Sequence, residues 1–172
     1  FYDFYGENLF RTDTGIERAS IGSLLDHSGA FGECEKNAAK VFGADQSYSV
    51  VVGTSGSNRT IMQAALTPGD IAICDRNCHK SIEQGLILSG AVPVYMLPTR
   101  NRYGIIGPIL RSEMTAAAIK TKVAKVKLPH NDEAMAPYSV VTNCTYDGLC
   151  YNSAKVEAEL DHSADRIHLD EA

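Results

Sequence analysis

From Ala38 onward, short apolar runs alternate with amphipathic segments. The first of these, Tyr48–Val52, reads as a strand, and Asn58–Leu66 as a helix. Asp70–Cys74 then reads as a strand, Lys80–Ser89 as a helix, Val92–Leu97 as a strand, and Glu113–Val126 as a helix rich in Ala and Lys. Tyr138–Thr142, Ala154–Leu160 and Arg166–Leu169 supply strand, helix and strand. This βαβα order with short connections predicts an α/β fold: a mainly parallel sheet with helices on both faces. Ligands of such sheets gather at the carboxyl ends of the strands.

Residues 1–33 lack this rhythm. They carry Phe1, Tyr2, Phe4, Tyr5 and Phe10, with glycines at 6, 15, 22, 29 and 32. Two readings fit: an extended arm with a short helix near Ile21–Leu25, or a linker from a preceding domain. Lys127–Pro137 is polar, contains two prolines and reads as a surface loop. The expected organisation is therefore an N-terminal arm or linker over 1–33 and an α/β domain over 34–172.

The chain has 172 residues, 44% of them hydrophobic and 22% charged, enough apolar material for a sizeable core. Sixteen Lys and Arg against 21 Asp and Glu give a net charge of -5, without the basic stripe that nucleic acid requires. No apolar run approaches the roughly 18 residues of a membrane span. The start has neither an initiator Met nor the order of a signal peptide, and a cytoplasmic piece of something longer is expected. The cysteines, at 34, 74, 78, 144 and 150, are an odd set best read as reduced thiols. Cys74, Cys78 and His79 invite a metal, but no second ligand pair stands at zinc spacing, so no metal is expected.

Three segments carry candidate chemistry. Gly53-Thr54-Ser55-Gly56-Ser57-Asn58 follows a strand and opens a helix, where free N–H groups and small hydroxyls can cradle an anion. It is neither a Walker loop nor a dinucleotide fingerprint, and plain N-capping by Ser57 or Asn58 is the alternative. Asp75-Arg76-Asn77-Cys78-His79-Lys80-Ser81 lies at the carboxyl end of the next strand. There the imidazole can act as acid or base, bind a metal or lie against a planar ligand, or the cluster can simply cap a helix and pair charges. Asp170 ends the last strand, where a carboxylate can hold a cationic ring nitrogen or cap the element that follows.

A phosphate cradle, a histidine and a strand-end aspartate form the set that a pyridoxal phosphate site needs. Along nearly its whole length the chain resembles the large-domain core of the bacterial ornithine/lysine/arginine decarboxylases of aspartate-aminotransferase fold (fold type I). The resemblance rests on FYDFYGENLFRTD, GSLLDHSG, VFGADQSY, GTSGSN, DRNCHKS, PVYMLPTRNRYGIIGPI, TNCTYDGLCYN and HLDEA. It implies that Thr54, Ser55 and the Gly56 amide bind the cofactor phosphate, and that His79 stacks on the pyridine ring. It further implies that Asp170 pairs with the ring nitrogen and that Ala172 lies under the ring. The family usually reads GTSTAN where this chain has GTSGSN, so a hydroxyl is lost or moved by one residue. The family's Schiff-base lysine follows some tens of residues beyond the strand-end aspartate, and no lysine here takes that role. Lys80 is read as structural or solvent-facing. The chain alone is accordingly expected to be inactive.

The strings NCTYDG, CYN and HLDEA, with Glu171 after the aspartate, resemble the biodegradative arginine decarboxylases more than the lysine or ornithine enzymes. The resemblance implies decarboxylation of arginine to agmatine, with lysine and ornithine as alternatives, by a homodimer that builds a larger homo-oligomer. An aminotransferase or carbon–sulfur lyase on the same fold is a rival enzyme reading. A non-catalytic folded fragment or assembly module is the reading of another class.

Overall fold

In the computed structural model, residues 1–12 and 18–171 are described. They fall into two compact units, Phe1–Val51 and Val52–Ala172. In the first unit, α1 (Tyr2–Tyr5), α2 (Glu7–Thr12) and α3 (Arg18–Ile21) precede a longer α4 (Gly29–Phe42). The first segment is thus helical where an extended arm was the expectation. Its aromatic residues sit at spacings that meet across one helical turn, as in the stacked Phe1 and Tyr5 rings. The helix expected near Ile21–Leu25 instead ends at Ile21, because Gly22 takes φ +95, outside the helical region.

The strand expected at Tyr48–Val52 is absent. The Ser49 amide that a ladder would need donates to Glu35 Oε1 at 2.8 Å, and Val51 and Val52 lie in a turn, exposed. Glu35 Oε2 also meets His27 Nδ1 at 2.7 Å, so this one carboxylate ties the segments before and after α4 back onto that helix.

The second unit carries the expected alternation. α5 (Thr54–Ala65), β1 (Ile71–Asp75), α6 (Lys80–Ser89) and β2 (Val92–Met96) come first. A small antiparallel hairpin, β3 (Pro98–Arg100) with β4 (Ile106–Ile109), interrupts the rhythm. Its strands are short and carry Pro98, Gly107 and Pro108, so no alternation announces them. α7 (Arg111–Met114), α8 (Ala116–Val123), β5 (Tyr138–Thr142), α9 (Ser153–Leu160) and β6 (Ile167–Asp170) complete the unit. The single helix expected over Glu113–Val126 is therefore two. The chain turns extended at Thr115, whose Oγ1 accepts the Ala118 amide at 3.3 Å and starts a new helix. Glu113, at the end of the first piece, bonds the Leu97 amide and Lys122 Nζ.

The main sheet has the order β2-β1-β5-β6, and every pairing is parallel. Successive side chains of a strand point to opposite faces, so the sheet builds two cores. Ile71 and Ile73 of β1 join Val94, Met96, Ile119, Val156 and Leu160 on one face. Ala72 and Cys74 join Met62, Leu66, Ile82, Leu86 and Tyr138 on the other. Helices thus cover both faces, α7–α9 on one and α5 with α6 on the other. The connection from β1 crosses to β2 on one side, whereas β5 lies on the other, which opens a crevice at the carboxyl ends of β1 and β5.

α6 carries Gly85 against α5, where a Cβ would meet Met62 Sδ at 2.3 Å and Met62 Cβ at 3.3 Å. Met62 is fully buried, in an interior packed at native density. Gly85→Ala is expected to lower stability by about 1–3 kcal/mol, as overpacking of a filled core does. Urea denaturation checks this, and a midpoint equal to wild type would mean that the helices slide apart at no cost.

Candidate active site

The crevice is a cavity of about 310 Å³, inside the range of roughly 300–1,000 Å³ usual for small-molecule sites. Four segments reach it: the start of α5, the turn before α6, the loop after β5, and the end of β6. Thr54, Ser55, His79 and Asp170, all singled out in the sequence, line this one cavity. Gly56 is buried in the turn behind them. Ala172 lies outside the described residues, and Lys80 is exposed at the first position of α6.

Gly53 opens α5 at φ +75, a conformation that side chains resist, and it caps the helix without a side chain. Capping by Ser57 or Asn58 therefore does not occur. The Gly56 amide donates to the Gly53 carbonyl at 2.8 Å, as does the Ser57 amide at 3.1 Å. Thr54 and Ser55 stand ahead of these bonds, where helix N–H groups have no intrahelical acceptor. Their hydroxyls and this N-terminus, with its positive dipole end, line one side of the cavity, an arrangement able to accept an anion.

At the start of α6, His79 is the N-cap, and its Nδ1 accepts the Ser81 amide at 3.2 Å. The capping alternative raised by the sequence is thus real, but the same ring also lines the cavity. Ser81 Oγ lies 2.8 Å from His79 Nδ1 and accepts from Asn58 Nδ2 at 3.0 Å. These directions leave Nδ1 as the acceptor and assign the ring proton of a neutral His79 to Nε2.

The same Asn58 Nδ2 donates to Asp170 Oδ1 at 3.2 Å. Because a carboxylate only accepts, this contact sets the orientation of the Asn58 amide. Asn58, Ser81 and Asp170 are all buried, so one side chain holds α5, α6 and β6 together through polar contacts. Sequence reasoning placed Asn58 at the end of the anion-cradle segment or as a cap, and gave it no part in holding Asp170. Its spacing of four from Thr54, which puts both on one helical face, was the signal available.

The layer behind Asp170 is also specified. His168 lies two residues earlier on β6, hence on the same face, and its Nδ1 meets Tyr138 Oη at 2.5 Å. Burial pushes the His168 imidazole down, against the opposing pull of Asp170, and pushes the Tyr138 phenol up. Burial thus favours the uncharged form of each ring.

The loop after β5 adds Cys144, Thr145 and Tyr146 to the cavity wall. The two strings that carry the arginine reading meet here, since Asn143 Nδ2 donates to Glu171 Oε1 at 2.9 Å. No group of His, Cys, Asp and Glu suited to a metal occurs among the described residues. Nor, among them, is any helix long and apolar enough to cross a membrane.

The family model of the major domain of Orn/Lys/Arg decarboxylases matches residues 1–172. A biodegradative arginine decarboxylase of Escherichia coli is 63% identical over the whole chain, which spans 23% of that protein's length. A lysine decarboxylase of Pseudomonas aeruginosa is 44% identical over the whole chain and 23% of its own length. The solved structure of lysine decarboxylase A from Pseudomonas aeruginosa superposes with a TM-score of 0.89 at 42% identity, over 97% of this chain and 22% of that one.

Asp75, at the end of β1, is fully buried beneath the crevice and accepts the amides of Asn77 at 2.7 Å and Thr142 at 3.4 Å. Desolvation pushes its carboxyl up, and the two amides only partly pull it back. A carboxyl raised above its unfolded value, about 3.9, makes the folded state the tighter proton binder. Stability therefore falls as pH rises from the unfolded toward the folded value, and the whole penalty is present above both. Asp75→Asn should gain stability relative to wild type as pH rises through this window, and lose the advantage in acid. Thermal midpoints across pH check this. A difference that does not change with pH would show that Asp75 does not titrate in the fold.

Proposed function

The chain belongs to the Orn/Lys/Arg decarboxylases, matching the model of their major domain, and from that membership we propose that the whole protein removes the α-carboxyl group of L-arginine, giving agmatine and CO2. One observation carries the reading: anion donors, an imidazole and a buried carboxylate share the wall of a single cavity at the sheet's switch point. Arginine is favoured over lysine by the higher identity to the arginine enzyme.

Pyridoxal phosphate is the cofactor of this family, and the chemistry of the donor set fits it. Thr54 and Ser55, with the α5 N-terminus, would hold the phosphate, and Gly56 keeps the turn behind them free of a side chain. Asp170 would pair with the ring nitrogen, and the His79 ring would lie against the cofactor ring. When bound, the cofactor accepts the electron pair left behind as CO2 departs. The chain's own residues orient and tune. Asn58 holds the Asp170 carboxylate in place, and Ser81 holds the His79 ring by its Nδ1 edge. Asp170 is buried, so its attraction for a cationic nitrogen is screened far less than in water.

Phe1 and Phe4 stay almost fully exposed, which favours packing of the N-terminal segment on a second copy in a homodimer and larger assembly. We place the protein in the cytoplasm, in keeping with cysteines that stand as free thiols.

The test is product analysis of the full-length protein with pyridoxal phosphate and, in turn, arginine, lysine and ornithine. Agmatine from arginine at the highest kcat/KM is expected. Cadaverine as the faster product would move the substrate to lysine, and an amino-group transfer product would overturn decarboxylation. In the same protein, Asp170→Asn is expected to reduce kcat by about 10²-fold or more, as loss of a preorganised charge does. Wild-type turnover with cofactor bound would remove Asp170 from the site.

A further inference from the structure

Beside the candidate site lies a pair of thiols that the reaction does not use. Cys144 and Cys150 are free, exposed and separated by a short loop. The loop is closed by paired contacts on either side of them. Outside the pair, the Tyr151 amide donates to Asn143 Oδ1 at 2.8 Å. Inside it, the Thr145 amide donates to the Leu149 carbonyl at 3.1 Å, and the Leu149 amide returns to Thr145 Oγ1 at 3.2 Å. A further bond, from the Gly148 amide to the Thr145 carbonyl at 2.9 Å, tightens the tip. Bracketed by these contacts, positions 144 and 150 stand opposite each other.

We propose that Cys144 and Cys150 form a reversible oxidation site at the rim of the cavity, taking a hydroperoxide as oxidant and closing to an intramolecular disulfide. The Cys144 sulfur attacks the peroxide oxygen, the O–O bond breaks, hydroxide leaves and a sulfenic acid forms. The Cys150 thiolate then attacks that sulfur and expels a second hydroxide, so two thiols are oxidised as one peroxide is reduced to water. Desolvation, then the neighbouring Cys144 and the charge of Glu171, push the Cys150 thiol up, which suits it to the resolving part. The other cysteines differ. Cys74 is fully buried, and burial with the charge of Asp75 pushes the Cys78 thiol up to about 12. Cys34 is exposed, on α4, where the helix offers no second cysteine.

The consequence is local. Cys144, Thr145 and Tyr146 all line the cavity, so a covalent clamp across the loop fixes the part of the wall they form. The thiol chemistry does not depend on which reaction the cavity performs.

The experiment titrates the reduced full-length protein with hydrogen peroxide, blocks remaining thiols with iodoacetamide and maps peptides by mass spectrometry. Alkylation at Cys144 and Cys150 should be lost together, with a linked 144–150 peptide appearing before Cys34 is oxidised, and dithiothreitol should restore both. In Cys150→Ser the link cannot form, and dimedone should instead trap a sulfenic acid at Cys144. Absence of the linked peptide from wild type at the peroxide level that oxidises Cys34 overturns the proposal. So does a Cys150→Ser protein in which Cys144 resists dimedone.

Discussion

A carboxylate buried at the end of a strand needs a donor, and in this chain the side-chain amide of Asn58 supplies it. Its nitrogen meets Asp170 at 3.2 Å and Ser81 at 3.0 Å, and Ser81 in turn engages His79. A polar group taken out of water without a partner costs about 1–3 kcal/mol, so these contacts constrain where α5, α6 and β6 sit relative to one another. The candidate site inherits its geometry from that constraint. The helix end that offers anion donors, the imidazole and the carboxylate are held by elements that the Asn58 amide joins.

The parallel sheet supplies the second constraint. Strands that all run one way bring their carboxyl ends to one edge, and the change of direction between β1 and β5 leaves a crevice there. Asp75 accepts the Thr142 amide beneath this crevice and so links the ends of the two strands. The carboxyl is costly to ionise in that position. Its hydrogen bonds to the Asn77 and Thr142 amides nevertheless set the turn from which His79 emerges and the strand end from which the Asn143–Tyr151 loop departs.

That loop differs in kind from the rest of the site. α5, α6 and β6 are anchored by buried contacts, whereas Cys144 and Tyr146 are exposed on a loop closed by its own hydrogen bonds and tied at its start to the end of β6. Segments of this kind change conformation or chemistry at little cost to the core.

Much of this was legible in the sequence, because apolar periodicity belongs to consecutive residues. It marked Lys80–Ser89 and Tyr138–Thr142 at their observed bounds, together with the parallel sheet they imply. The order of motifs and strands likewise put Thr54, Ser55, His79 and Asp170 at strand ends or helix starts. Tertiary structure decided what depends on partners far along the chain. Asn58 and Asp170 are 112 positions apart, and the spacing of Asn58 from Thr54 places it on the site's helical face without showing which elements it bridges. The apolar run at Tyr48–Val52 did not become a strand, since Glu35 took the Ser49 amide. The helix over Glu113–Val126 broke at Thr115, where a side-chain cap beat propensity. In each case the outcome turned on which distant or competing group satisfied a polar atom, and that is a property of the folded arrangement rather than of any window of sequence.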